Sequence, residues 1–321
     1  MINPSERQPT WRRAGTNVSG LSIPDALDAG GIGFTVGIKP LTAMYHDDDT
    51  MTDVIEDVRG YQLTYRQDNL KPIAPVGQRY HVVQTVEATG LIEEMTAAGW
   101  SPEFAGVIKK GRAVFMAGRL DFDTTTHEID PYLCFVNSFD GSSGLKFACT
   151  PYRPVCTNAV RAVFNRRGAK PVVSLRHTSN VLKRAETVRE LLGLSKAYYH
   201  YLDNQIEKLM TLTLDDRKIE QALDIVAPIT PDLPEHVLNR RTEKRNDVRH
   251  NLMYSPTIDN ALRNTGWGLY NSITEIEQWG KDTMPTVSQS EQQLGNHLGI
   301  VPMTTTSDRV YRLMDRWLID A

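Results

Sequence analysis

Between Gly141 and Val188 the chain carries nine Lys or Arg and one acid, Glu186. The remainder holds 27 basic and 38 acidic residues, so a local excess of +8 sits inside a chain of net charge -3. Segregation of this kind points to a polyanionic partner. Guanidinium groups fork onto phosphate oxygens where an ammonium presents a point charge. The expected phosphate contacts are Arg153, Arg161, Arg166, Arg167, Lys170, Arg176 and Lys183, with His177 beside them on a phosphate or at a helix start. Lys109, Lys110 and Arg112 would extend the surface from a neighbouring hairpin. Single strands also need rings on which bases stack. Phe135 and Phe147 read as core, and Tyr152, beside Arg153, is the expected stacking ring. A second cluster, Arg240, Arg241, Lys244, Arg245 and Arg249, is interrupted by Glu243 and Asp247 and reads as a solvated helical face.

Other chemistries find less support. Cys156 with His177, oriented by Asn158 or Asn180, could form a nucleophile and base, but Cys156 falls on an apolar stripe that favours a buried thiol. Asp121, Asp123 and Asp140 could hold a metal for phosphodiester chemistry, yet Asp140 sits in a turn, where Asp serves local geometry. Cysteines and histidines lack metal-site spacing, and Gly30 to Gly33 is not a phosphate fingerprint. No cofactor and no metal are expected, and catalysis is not the favoured reading.

The elements that must position these residues follow from periodicity and turn chemistry. Alternation over Tyr61 to Tyr65 suits a strand, and Gln78 to Val83 reads as a strand or the lead into a helix over 84–98. Glu103 to Lys109 and Arg112 to Phe122 flank a turn at Lys110-Gly111. Tyr132 to Ser138 and Leu145 to Thr150 flank a loop of turn formers. Two antiparallel hairpins are therefore expected, then a helix over 154–165, a short strand over 172–175, and a long helix from near Thr178 to Met210 with a break near Gly193. Beyond that the chain reads helical, with Ser307 or Asp308 capping the last helix.

The fold class is α+β, an antiparallel sheet packed with helices and then a helical C-terminal region. The expected division is a flexible lead over 1–20, a core domain over 21–212 and a helical region over 213–321. Composition is that of a soluble globular protein, no apolar run approaches a membrane span, and no signal-peptide stretch opens the chain. Three cysteines fit a reducing, cytoplasmic compartment.

Four stretches carry a resemblance: Trp11 to Thr16, Val136 to Ser142, Thr150 to Asn158, and Asn264 to Glu275. Their order and spacing resemble the phage/plasmid-like family defined by a domain of unknown function, number 932. The resemblance implies a phage or plasmid context, acting on DNA or on host defences, rather than a settled chemistry. The order of elements is also similar to the core of phage single-strand annealing proteins, an analogy of topology. The expected function is non-catalytic binding or annealing of single-stranded DNA in recombination, by an oligomer in a bacterial cytoplasm. The alternative is an anti-defence or host-takeover factor that binds a phage or host protein.

Overall fold

In a computed structural model the described residues are 10–126, 128–153, 158–159, 172–175, 177, 185–279 and 306–319. Along the chain these form α1 (Thr10–Ala14), β1 (Thr16–Asn17), α2 (Ile23–Ala29), β2 (Val36–Asp47), β3 (Thr52–Arg66) and β4 (Pro72–Gly77). A 3-10 turn at Val86–Ala88 runs into α3 (Thr89–Ala97). Then come β5 (Trp100–Ile108), β6 (Ala113–Leu120), β7 (Asp130–Ser138), β8 (Leu145–Arg153), β9 (Asn158–Ala159) and β10 (Val172–Leu175). The remaining elements are α4 (Ala185–Thr211), α5 (Asp216–Val226), α6 (Glu235–Tyr254), α7 (Gly266–Trp279) and α8 (Thr306–Ile319). The class is α+β, as the hairpin and helix signals indicate.

The two hairpins become the middle of one antiparallel sheet, ordered β1-β5-β6-β7-β8-β10, with β9 also pairing to β8. The period of two sorts β6 onto two faces. Ala113, Phe115 and Ala117 point into one apolar layer, and Val114 and Met116 into the other. The first layer is closed by α1, whose Trp11 is wholly buried. Close approach needs small residues there: a Cβ on Gly106 would lie 2.7 Å from the Ala14 carbonyl oxygen. The second layer is closed by α2, α3 and the C-terminal helices.

Three expectations need correction. Residues from Thr10 onward are not a loose lead, because α1 is packed and Thr16 pairs with Ala105. Of the two readings of 78–83 the lead into a helix holds, since it runs into the turn at Val86–Ala88 and α3, while the strand, β4, lies before it and pairs with β3 from Tyr61 to Tyr65. The helix expected over 154–165 is overturned where it can be described, because Asn158–Ala159 pairs with the end of β8. The core also crosses the expected boundary near residue 212: a single apolar cluster joins Val18, Phe147, Leu202, Tyr270 and Met314.

Two helix starts are closed in different ways. Asp215 caps α5 by accepting from the Lys218 amide at 2.7 Å. At α8, the Glu277 carboxylate accepts from the Thr306 and Ser307 amides at 3.0 and 3.3 Å. The expected Ser307 or Asp308 cap is thus replaced by an anion from the end of α7, placed against the positive end of the helix dipole. α4 runs unbroken through Gly193. Its Asp203 accepts from the amides and hydroxyls of both Thr125 and Thr126, tying the loop before β7 to the helix.

Candidate nucleic-acid interface

One end of the large sheet gathers cations. The β5–β6 turn bends through Lys109 (φ 53), Lys110 (φ 56) and Gly111 (φ 93), three consecutive left-handed residues. Only the glycine adopts that region without steric cost. Lys109 Nζ donates to Ser142 Oγ at 3.2 Å and lies 4.0 Å from Asp140 Oδ2, across the β7–β8 loop. Lys110 and Arg112 are exposed. Lys146, on β8 opposite Ser174 of β10, is half-buried. Burial, and then the neighbouring Lys109 charge, hold its ammonium below the ordinary lysine range.

Tyr80 reaches the same end from the loop after β4. Its hydroxyl donates to the Ser138 carbonyl at 2.9 Å and lies 2.8 Å from His177 Nδ1, just past β10. Burial, reinforced by Asp140, keeps the phenol protonated. Burial and the nearby His81 push the His177 imidazole down to about 4 from 6.5. His177 Nε2 is buried, with no partner among the described residues. A depressed imidazole stabilises the fold fully above about 6.5, and that contribution is lost as the pH falls toward about 4. Urea titrations at pH 7 and pH 5 are expected to differ by on the order of 2 kcal/mol more in the native chain than in His177→Gln. Equal differences in the two chains would show that His177 is solvated.

Tyr152 and Arg153 require correction as strand contacts. Tyr152 is 5% exposed and packs edge-on to Trp11 and Tyr132, with ring centroids 5.4 and 6.0 Å away. Arg153 is 2% exposed. Its Nε donates to Glu128 Oε2 at 2.6 Å, and its Nη1 to the Thr257 carbonyl at 3.0 Å. Trp267 Nε1 donates to the same Glu128 oxygen at 3.1 Å. Beyond Thr257 lies Glu275, 1% exposed, which accepts from Thr257 Oγ1 at 2.7 Å and Asn251 Nδ2 at 3.2 Å. Burying a charge is tolerated only when it is paired and hydrogen-bonded, and this network supplies both. Three of the four resembling stretches therefore meet inside the protein, through Trp11, Arg153, Trp267 and Glu275.

Arg161, Arg166, Arg167, Lys170, Arg176 and Lys183 lie outside the described residues, as do Cys156 and Asn180. The described thiols, Cys134 and Cys149, are buried and pushed up to about 12 by burial, which makes them poor nucleophiles. The second basic cluster mostly joins helices. Arg245 pairs with Glu220 and Asp224 of α5 at 2.6 and 3.0 Å, Arg249 pairs with Glu220, and Arg241 donates to the Pro228 carbonyl. Among the described residues no group of three or more His, Cys, Asp or Glu could hold a metal ion. No described helix is long and apolar enough to cross a membrane.

Tyr80, Glu128, Trp267 and Glu275 escaped the reading of residue types. Trp267 and Glu275 stand in a stretch singled out for its pattern, which was the available signal. Tyr80 and Glu128 stand in no motif and meet partners far away in sequence. A family model described as Domain of unknown function (DUF932) matches residues 72–298. No curated protein and no solved structure matches the chain.

Proposed function

The chain belongs to the family of the domain of unknown function 932, and from that premise we propose that it binds nucleic acid without cutting it, with single-stranded DNA of a phage or plasmid as the ligand. The supporting observation is the cationic turn over Lys109 to Arg112 at one end of the large sheet, where three consecutive left-handed residues hold the basic side chains. Lys110 and Arg112 stand exposed on the same turn and would follow the backbone. β10 lies within the basic stretch and pairs with β8, Ser174 opposite Lys146. Strand phosphates would be held by these groups with the base edges left to pair. The compartment in this reading is the bacterial cytoplasm.

Counterion release gives the test. With about six phosphates neutralised on a single strand, log affinity should fall against log salt with a slope of roughly -4. Fluorescence anisotropy of a labelled oligonucleotide across a salt series measures it, with a duplex of the same sequence in parallel. A slope near zero ends the proposal. The alternative, a protein-binding factor aimed at host defences, is favoured by one observation, the uncovered β2–β3 hairpin. Recovery of a host protein that survives nuclease treatment would prefer it.

A further inference from the structure

β2 and β3 form a ribbon that leaves the body of the protein. Near its base, Val36 to Pro40 pairs with Gln62 to Arg66, and β4 covers the other edge of β3 from Tyr61 to Tyr65. The register then jumps. Pro40 faces Gln62 but Thr42 faces Asp57, and Gly60, at φ 85, lies within the skipped stretch. Past this joint two strands remain among the described residues, over Thr42 to Asp47 and Thr52 to Asp57. A two-stranded hairpin alone is marginal in water, and its open edges invite another chain.

The outer arm is apolar on both faces. Met44 is paired across the strands with Ile55 on one face, and they are 73% and 69% exposed. Tyr45, 50% exposed, is paired with Val54 on the other. Met51, at the tip, is 74% exposed. The rim is acidic: residues 42–57 hold six Asp or Glu and no Lys or Arg. Asp53 is bonded to His46 at 2.9 Å, and Glu56 accepts from the Tyr45 hydroxyl at 3.4 Å. An apolar centre with a charged rim is the anatomy of a docking element. Its charge excludes a nucleic-acid role for the arm itself.

We propose that this arm docks on a second copy of the chain, its carboxylates against the cationic turn at Lys110 and Arg112. The argument is charge complementarity within one sequence: an arm of six acids and, elsewhere on the surface, the exposed cations Lys110 and Arg112. Opposite poles on one chain give a head-to-tail contact, which closes into a ring or extends as a filament. Arm and strand then compete for one surface, so self-association is a stored form that nucleic acid opens.

Sedimentation velocity on the full chain, without nucleic acid, tests the docking independently of the functional reading. At concentrations up to about 100 µM in low salt the native chain is expected to associate, and to separate as salt rises. Asp53→Lys with Glu56→Lys, and separately Lys110→Glu with Arg112→Glu, should each give monomers. An equal mixture of the two variants should associate again, because each then supplies the complementary pole. Met44→Ser with Ile55→Ser should give monomers with an unchanged thermal melt, since neither side chain packs on the body. A native chain that stays monomeric overturns the proposal, as does association that survives the arm substitutions, a mixture that fails to recover, or an arm that instead retains a foreign protein. Loss of strand binding with arm-dependent association intact would sink the nucleic-acid reading alone.

Discussion

Arg153→Met is expected to lower the unfolding free energy by about 3 kcal/mol while leaving the salt slope of strand binding unchanged in the protein that remains folded. The native guanidinium sits between Glu128 and the Thr257 carbonyl with almost no exposure. Removing it leaves a carboxylate whose remaining hydrogen bond from the described residues comes from Trp267. It also takes the donor from a carbonyl in the turn that follows α6. Breaking a buried pair from one side costs roughly 3–5 kcal/mol, and Glu128, whose side chain is 18% exposed, places the cost at the lower end. A second substitution sharpens the test. Removing both charges, as Arg153→Met with Glu128→Met, should recover part of the loss, because an apolar pair of similar volume avoids the desolvation penalty. Urea denaturation of the two single variants and the double gives the coupling energy directly. Unchanged stability in Arg153→Met, with a slope shallower by about 0.7, would return this residue to the surface as a phosphate contact.

Why the sequence misplaced Arg153 is a matter of distance along the chain. Arg153 follows Tyr152 and precedes Pro154, and a count of cations treats each as solvated. Its partners are Glu128, Thr257 and, through Glu128, Trp267, and no local periodicity announces contacts of that separation. The β5–β6 and β7–β8 hairpins were legible because their signals are local: turn formers between two apolar runs. α3 and α8 were legible for the same reason, each showing one apolar stripe. The outer β2–β3 arm was invisible because its apolar side chains stand exposed, so no alternation of buried and exposed positions was written into it. Asn158–Ala159 failed as a helix because an apolar spacing that fits a helical stripe also fits a strand returning along β8. The cationic turn lay between these cases. Its place in a hairpin was readable, but its approach to Lys146, Tyr80 and His177 depended on the sheet order.

That turn carries the second large expected effect. Asn at both Lys109 and Lys110 should raise stability and weaken strand binding together. Lysine in the left-handed region costs roughly 1–2 kcal/mol relative to the right-handed one, and asparagine enters it more readily. The double variant loses the Lys109 contacts to Ser142 and Asp140, which are partly exposed and worth well under 1 kcal/mol. A net gain of about 1 kcal/mol is expected from urea denaturation. Affinity should move the other way. Two phosphate contacts removed from a single strand would make the salt slope shallower by about 1.4, which at 0.1 M salt is roughly 25-fold in binding. The opposed signs are what give the experiment its force. A lysine pair retained only for folding would, on replacement, lower stability and leave binding untouched. Strain held at two adjacent non-glycine residues, and relieved only at the expense of the ligand, is the signature of backbone geometry kept for a site. Improved stability with undiminished strand affinity would remove the turn from the nucleic-acid interface, and arm docking would still be decided by sedimentation alone.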